Sequence, residues 1–532
     1  MTNHPTDTDS NDQFPVVWKN PADALRHWEF DPMHSPDVIT PLGFELLEER
    51  FLKGFGLGTD VRLVNHYMFM HVELDSSPPP GSFDDMLRGL AAAWPHWQNR
   101  ILPEIERYID YYLTADFDAM SNADLSGEID NLLKTRTRQG QLHTQSVMPW
   151  FGAMNLLLDA FRKLTSGSFL NATRLVQGHG NKSVEAGREL WKLSRLADSI
   201  PLVRDRILTV SRDNAQQALD VLKTEPDVQP FLDAFSKYLD DYGWRSDLFD
   251  FSMPTWAENP SIPLSQLRAY LEMEDYDPDR ELARLQNERD QAIQDTLEAI
   301  KPDDRRRFED VLEVATSLSP LQEDHNFYID QRLAFAPRRL VIEIGRRLVS
   351  DGYIDEASDV FYLGAAQVHA ALNSKDSDYR NVIERCKGDM AHWAKVTPPS
   401  YVGAPRPTGI SGISLFDGRN RFRSDQPNVL RGHPSSAGTA TGPARILMNL
   451  SQADRLKPGD VLVARTTMPA WTPLFGVASA IVVETGGVLS HAAVTAREYG
   501  IPAVLGVPDA TTTIRDGQLL EVSGSEGRVR IL

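Results

Sequence analysis

The chain has 532 residues, 41% apolar and 24% charged, with 34 Gly and 34 Pro, the composition of a globular protein of two to four domains rather than a disordered or fibrous one. Its 55 basic and 75 acidic residues leave a net charge of −20; an acidic surface repels nucleic-acid phosphates over a screening length of about 8 to 10 Å, so no nucleic-acid partner is expected. A single cysteine, Cys386, excludes an internal disulfide and a cysteine-based zinc site and fits a cytoplasmic setting, while the lack of any run near the roughly 20 apolar residues that span a bilayer argues against a membrane protein.

Residues 1–14 (MTNHPTDTDSNDQF) are polar, without an apolar signal core, and read as a disordered leader. From 15 to 395 the chain reads as a helical body. Ser183–Asp198 repeats Val184, Gly187, Leu190, Trp191, Leu193 and Leu196 at roughly the helical period. The charged stretch 280–318 predicts a long solvated helix or a hairpin of two, and 331–350 a helix broken near Pro337. Irregular aromatic segments, Trp28–Pro41 and Tyr242–Pro260, carry too much Pro and Gly for long helices.

Residues 396–429 are rich in Pro, Gly, Ser and Arg and read as a linker; the 29 residues from Tyr401 to Val429 would have a reach of roughly 30 Å. From 430 to 532 short β-rich runs (ARILM, DVLVA, AIVVE, PAVLG, LLEVSG) alternate with turn signals, and only Ser490–Tyr499 reads as a helix. This last region is compositionally distinct. From Pro427 onward there are 9 basic and 8 acidic residues and 12 of the 34 glycines, so the preceding 426 residues carry −21. The expected fold is multidomain, a mainly α-helical body followed by a small α/β domain.

Within that domain, Glu484–Thr485–Gly486–Gly487–Val488–Leu489–Ser490–His491 places a histidine where a strand and a glycine turn give way to a helix. A phosphate on that imidazole would meet unpaired backbone N–H groups and the positive end of the helix dipole, with glycines allowing close approach and the Thr485 and Ser490 hydroxyls as further donors. Neutral imidazole is nucleophilic near neutral pH, and a phosphorylated ring nitrogen is a good leaving group, so one side chain can accept a phosphoryl group and pass it on.

The run TGGVLSHAAVTAREYGIPAVLG, the upstream GTATG turn (438–442) and the ending DGQLLEVSGSEGRVRIL resemble the mobile phosphohistidine domain of phosphoenolpyruvate-utilising enzymes and dikinases. The resemblance implies that His491 is the phosphorylated histidine, that Thr485, Gly486, Gly487 and Ser490 surround the phosphate, and that Arg497 supports it. More loosely, EDHNFYID (323–330) with the following residues to Leu363, and YGWRSDLFDFSMPTWAENP (242–260), resemble the acceptor-binding region of rifampin phosphotransferase. No nucleotide-binding ATP-grasp segment is recognisable in the 532 residues. This division resembles two-part bacterial dikinases such as phenylphosphate synthase and hydroxyacetophenone kinases. It implies a separate ATP-grasp partner that binds ATP and Mg²⁺, release of AMP and inorganic phosphate, and a covalent phosphohistidine intermediate.

The acceptor implied is a small phenol. If one α-helix runs through them, His325, Tyr328 and Arg332 share a face. His325 is then the expected base, oriented by Glu323 or Asp324, with Arg332 or Arg338 stabilising phosphate charge. Trp244 is placed with the acceptor, where many relatives have His; Trp150 and Trp256 are core or pocket wall, and His143 and His34 are alternative bases. No metal-ligating residue is expected in this chain. Two other readings stay open: a component of a rifamycin-type antibiotic phosphotransferase, and a phosphorelay or binding protein without its own small-molecule acceptor.

Overall fold

The computed structural model describes residues 14–56, 58–72, 81–247, 249–273, 275–374, 378–405, 422, 424 and 426–532. Helices dominate up to residue 393 because apolar residues recur there at three- and four-residue spacing. The longest, Asn122–Thr165, starts at a capping box in which Ser121 and Asp124 satisfy each other's backbone N–H groups. It ends at Ser166 in the left-handed region, φ 56°, where the helix can no longer propagate. The charged stretch forms two helices, Pro278–Ala299 and Pro302–Leu318, each opened by a proline whose missing N–H costs nothing at that position. Pro337 stands as N-cap of the helix Arg338–Ser350.

Two departures from the expected layout matter. The body contains a four-stranded antiparallel sheet, in the order Thr59–Val64, Tyr67–Val72, His27–Phe30 and Tyr401–Gly403. Its hairpin turns at Asn65 and His66, with φ 51° and 65°, the paired left-handed conformations that match strand twist in a two-residue turn. Its fourth strand pairs Tyr401 with Glu29 and Gly403 with His27, so the first part of the 396–429 segment is sheet rather than linker. Most of the rest of that segment, like residues 1–13 of the expected leader, lies outside the described residues.

The C-terminal unit is an eight-stranded sheet in the order Val429–Arg431, Arg528–Ile531, Leu519–Ser523, Thr439–Leu447, Val461–Ala464, Ala480–Val483, Ala503–Leu505 and His433–Ser436. Pairings from Thr439–Leu447 through Ala503–Leu505 are parallel. Of these, Val461–Ala464, Ala480–Val483 and Ala503–Leu505 are buried on both faces, as parallel strands generally are. Val461, Val463, Ala480 and Val482 pack inside the unit with Ala510 and Ile514. The opposite face, with Leu462, Ala464, Ile481 and Val483, joins one apolar cluster with Ala492, Ala493 and Ala496 of the helix His491–Glu498 and Leu190, Phe231, Tyr270 and Phe327 of the body.

The two units thus share a core. Contact is tight at Gly187, on the body helix Lys182–Asp198, where a Cβ would fall 2.1 Å from Tyr499 Oη; glycine is the residue that fits there without a shift. Gly187→Leu should therefore force the C-terminal unit off the body, raising the radius of gyration measured by small-angle scattering with far-UV circular dichroism unchanged. An unchanged radius would show that Tyr499 yields instead.

Candidate active site

The strand Ala480–Val483 delivers the chain to a turn in which Gly486 has φ +87°, a conformation that favours glycine. Ser490 follows as an extended N-cap residue whose side chain makes no capping bond, and His491 is the first residue of the helix His491–Glu498. The Ser490 hydroxyl is buried without a hydrogen-bond partner, and a side chain at Gly487 would meet open space. The turn thus presents a free hydroxyl, unspent first-turn N–H groups and room beside Gly487.

His491 is held from the body. Its Nδ1 lies 2.7 Å from Glu323 Oε2, and the Glu323 side chain is fully buried. A buried carboxylate accepts, so Nδ1 carries the proton and donates, and the lone pair resides on Nε2. Thr472 Oγ1 is 3.4 Å from Nε2 but already donates to Pro469 O at 2.8 Å. The Nε2 lone pair is therefore uncommitted, which is the state a nucleophile requires.

Around this contact the two units are joined by polar links. Glu498 accepts from Gly178 N at 2.9 Å, Arg465 pairs with Asp37 at 2.6 Å, and Asp247 accepts from Trp471 Nε1 and Leu450 N. Burial pushes Glu498 up to about 7 and Asp247 up to about 6. Arg497 donates to Ser435 O and Val488 O. Its guanidinium is spent on these two carbonyls and braces the glycine turn through Val488.

The acceptor residues are placed differently from the single α-face expected. Residues Asn326–Leu333 form a π-helix after the short helix Leu321–His325, and its wider turn breaks the three- and four-residue register. His325 is 2% exposed and donates from Nδ1 to Leu321 O at 2.8 Å. Burial, with His143 beside it, pushes it down to about 4. So enclosed, it is not the acceptor's base. Neither expected acid orients it: Glu323 holds His491, and Asp324 accepts from Lys182 N at 2.9 Å. Its carboxylate neighbour is Asp330, which pairs with His143 at 3.0 Å. Ligand atoms of His143, His325 and Asp330 lie within 4.8 Å of one another, a set sequence spacing does not reveal.

Arg338 is also withdrawn, because it binds Glu258 at 2.9 Å and the carbonyls of Phe251 and Ser252. Tyr328 packs on Phe327 and Trp97. Arg332 is half-buried, its Cζ 5.9 Å from the Phe327 ring centroid, and Trp244 is half-buried in the turn before Arg245. Trp150 and Trp256 are core residues. His34 pairs with Asp31 at 2.7 Å.

Residues 456–527, the turn and His491 included, match the family model of the PEP-utilising enzyme mobile domain. The C-terminal unit is such a domain. Residues 142–323 match the rifampicin phosphotransferase fourth domain, a match that ends at the glutamate holding His491. Along the whole chain the sequence is 32% identical to a chondramide synthase of Chondromyces crocatus, over 98% of this chain and 14% of that protein. It is 28% identical to an uncharacterised phosphotransferase, YvkC, of Bacillus subtilis, over 99% of this chain and 63% of that protein. A rifampicin phosphotransferase of Streptomyces sviceus is 32% identical over 68% of this chain and 41% of its own length. The chain thus spans less than two thirds of each of these relatives. Among the described residues no helix is long and apolar enough to cross a membrane.

The raised Glu498 carries a pH prediction. Its proton is held more tightly when buried against the body than in water, so the contact is fully stabilising below about pH 4.5 and weakens as pH rises to about 7. Glu498→Gln should raise the melting temperature by several degrees near pH 8 and by almost nothing near pH 5, read by calorimetry at both pH values.

Proposed function

We propose that this protein is the acceptor-binding and phosphohistidine component of a dikinase. In this reading His491 Nε2 accepts a phosphoryl group from a nucleotide-binding ATP-grasp unit outside residues 1–532, and the body supplies the hydroxyl compound that receives it, in the cytoplasm. The observation that carries the reading is the 2.7 Å bond from His491 Nδ1 to Glu323, which joins the mobile domain's histidine to the body and leaves Nε2 as the reacting atom.

The two half-reactions balance. In the first, an N–P bond forms at Nε2 as an O–P bond of ATP breaks; after hydrolysis of the γ-phosphate the co-products are AMP and inorganic phosphate. ATP and Mg²⁺ belong to the donor unit. In the second, the acceptor oxygen attacks phosphorus, the N–P bond breaks, and the electron pair returns to Nε2 while Glu323 keeps the Nδ1 proton in place. The Thr485–Ser490 turn contributes the N–H groups, the space and the free hydroxyl that surround the phosphoryl oxygens, and Arg332 stabilises charge on the acceptor side.

For the acceptor we favour a phenol, whose pKa near 10 asks only partial proton removal. A neutral aromatic compound also escapes repulsion by the acidic body. Asp324 is the base we assign in place of His325: it neighbours Glu323, is only partly buried, and burial raises it to about 6, near the optimum for proton transfer at neutral pH. Relatives named rifampicin phosphotransferase favour rifampicin as the second acceptor to test.

With an ATP-grasp partner, ATP and Mg²⁺, AMP should form in step with phosphorylated product, and His491→Ala should remove all transfer while the fold persists. Alkaline mass spectrometry should find one acid-labile phosphate, on the peptide containing His491. A label elsewhere, or ADP as the sole nucleotide product, rejects the mechanism. Screening phenols, sugars, pyruvate and rifampicin by AMP release identifies the acceptor. Separately, kcat for the preferred acceptor should rise with pH through about 6, and Asp324→Asn should lose that limb with a fall of about 10²-fold; a retained limb excludes Asp324.

A further inference from the structure

A second group of polar atoms lies beneath the interface, apart from the glycine turn. Arg245 is 1% exposed. Its guanidinium is walled by aromatic rings, with Cζ 5.1 Å from the Trp256 ring centroid, 5.6 Å from that of Phe327 and 5.8 Å from that of Tyr242. Among the described residues neither Nη1 nor Nη2 has a hydrogen-bond partner, and the same holds for Arg332 Nε, Trp256 Nε1 and the Tyr238 hydroxyl. Arg332 shares the Phe327 ring from 5.9 Å. Arg245 and Arg332 thus share the Phe327 ring, with the Trp256 Nε1 and Tyr238 hydroxyl as further donors without a partner among the described residues.

Each acid nearby has a donor of its own, and of the oxygens of these acids Glu323 Oε1 alone has no partner among the described residues. Asp247 accepts from Leu450 N and Trp471 Nε1, Glu185 from Lys182 and Tyr242, and Glu323 from His491. Burial lowers Arg245 only to about 10, so it stays cationic at neutral pH. A buried cation without a counter-charge is among the costliest arrangements in a protein, and aromatic faces offset only part of that cost. The low dielectric makes the same pair of guanidinium groups a strong receptor for an anion.

We propose that Arg245 and Arg332 form a binding site for one tetrahedral oxyanion of the phosphate class, with Trp256 Nε1 and the Tyr238 hydroxyl as neutral donors. Arg332, the partly exposed member, gives the anion its approach, and Arg245 gives the site its depth. Two sources share this chemistry: the phosphoryl group carried by His491, and free inorganic phosphate or a phosphorylated product. The site rests on unpaired donors of the body and stands whether or not His491 is phosphorylated.

The test is calorimetric titration of inorganic phosphate and of tungstate into the full chain in phosphate-free buffer. Wild type and His491→Ala should each bind one oxyanion, and Arg245→Met should weaken binding by about 30-fold or more, the cost of losing a charge-assisted pair of hydrogen bonds. Because the variant exchanges an uncompensated charge for an apolar side chain, its melting temperature without phosphate should equal or exceed that of wild type. Arg332→Met, at a partly exposed position, should show the same weakening and keeps the test decisive if Arg245→Met fails to fold. Absence of oxyanion binding by wild type, or unchanged affinity in both arginine variants, overturns the proposal. Phosphorylating His491 separates the sources: lost phosphate binding assigns the site to the phosphohistidine, and retained binding to a free anion.

Discussion

The hydrogen bond from His491 to Glu323 is the constraint on which the rest of the arrangement depends. It crosses from one unit to the other, its carboxylate is wholly buried, and it sets which imidazole nitrogen has a free lone pair. A carboxylate in that position would be costly if it faced nothing, and among the described residues the docked histidine alone supplies its side-chain donor, Glu323 Oε1 having no partner. The body is therefore built to receive the mobile domain with its histidine in one orientation. The surrounding contacts, Gly187 beneath Tyr499 and Glu498 on Gly178, fix distance and angle around that bond.

The π-helix Asn326–Leu333 is what makes the two sides of EDHNFYID separable. Glu323 and Asp324 turn toward the mobile domain and the helix Lys182–Asp198, whereas His325 and Asp330 turn inward to His143. In an uninterrupted α-helix His325 and Asp330, five residues apart, would point in different directions; the wider π-turn brings them to the same side. The widened turn splits one polar motif into an interface element and an interior element.

Much of this was legible in the sequence because it is local. A strand, two glycines and a histidine before a helical period specify the turn that leads into the His491 helix with no knowledge of what lies opposite, and periodicity marks Lys182–Asp198 and the paired charged helices. The body's sheet was not legible: its strands come from residues 27–72 and 401–403, and its turn uses Asn-His where Asn-Gly would have been the recognisable signal. Nor could spacing show that Arg338 is spent on Glu258 or that Glu323 serves His491 rather than His325, because those partners lie 80 and 168 residues away. Long-range pairing of charged side chains leaves no local pattern.

The two-faced central sheet of the C-terminal unit has a consequence for the protein's life in water. One face is closed within the unit, but the other leads through Trp471, Leu474, Phe475 and Tyr499 into the core of the body. Any separation of the C-terminal unit from the body would wet part of that surface, at about 25 cal/mol per Å² of apolar area. Such a patch is a liability for solubility if it stays uncovered. Under the proposed function, a donor unit with a matching apolar rim would offset this, so shape recognition between carrier and donor, and not tether length alone, would set how often the histidine leaves home.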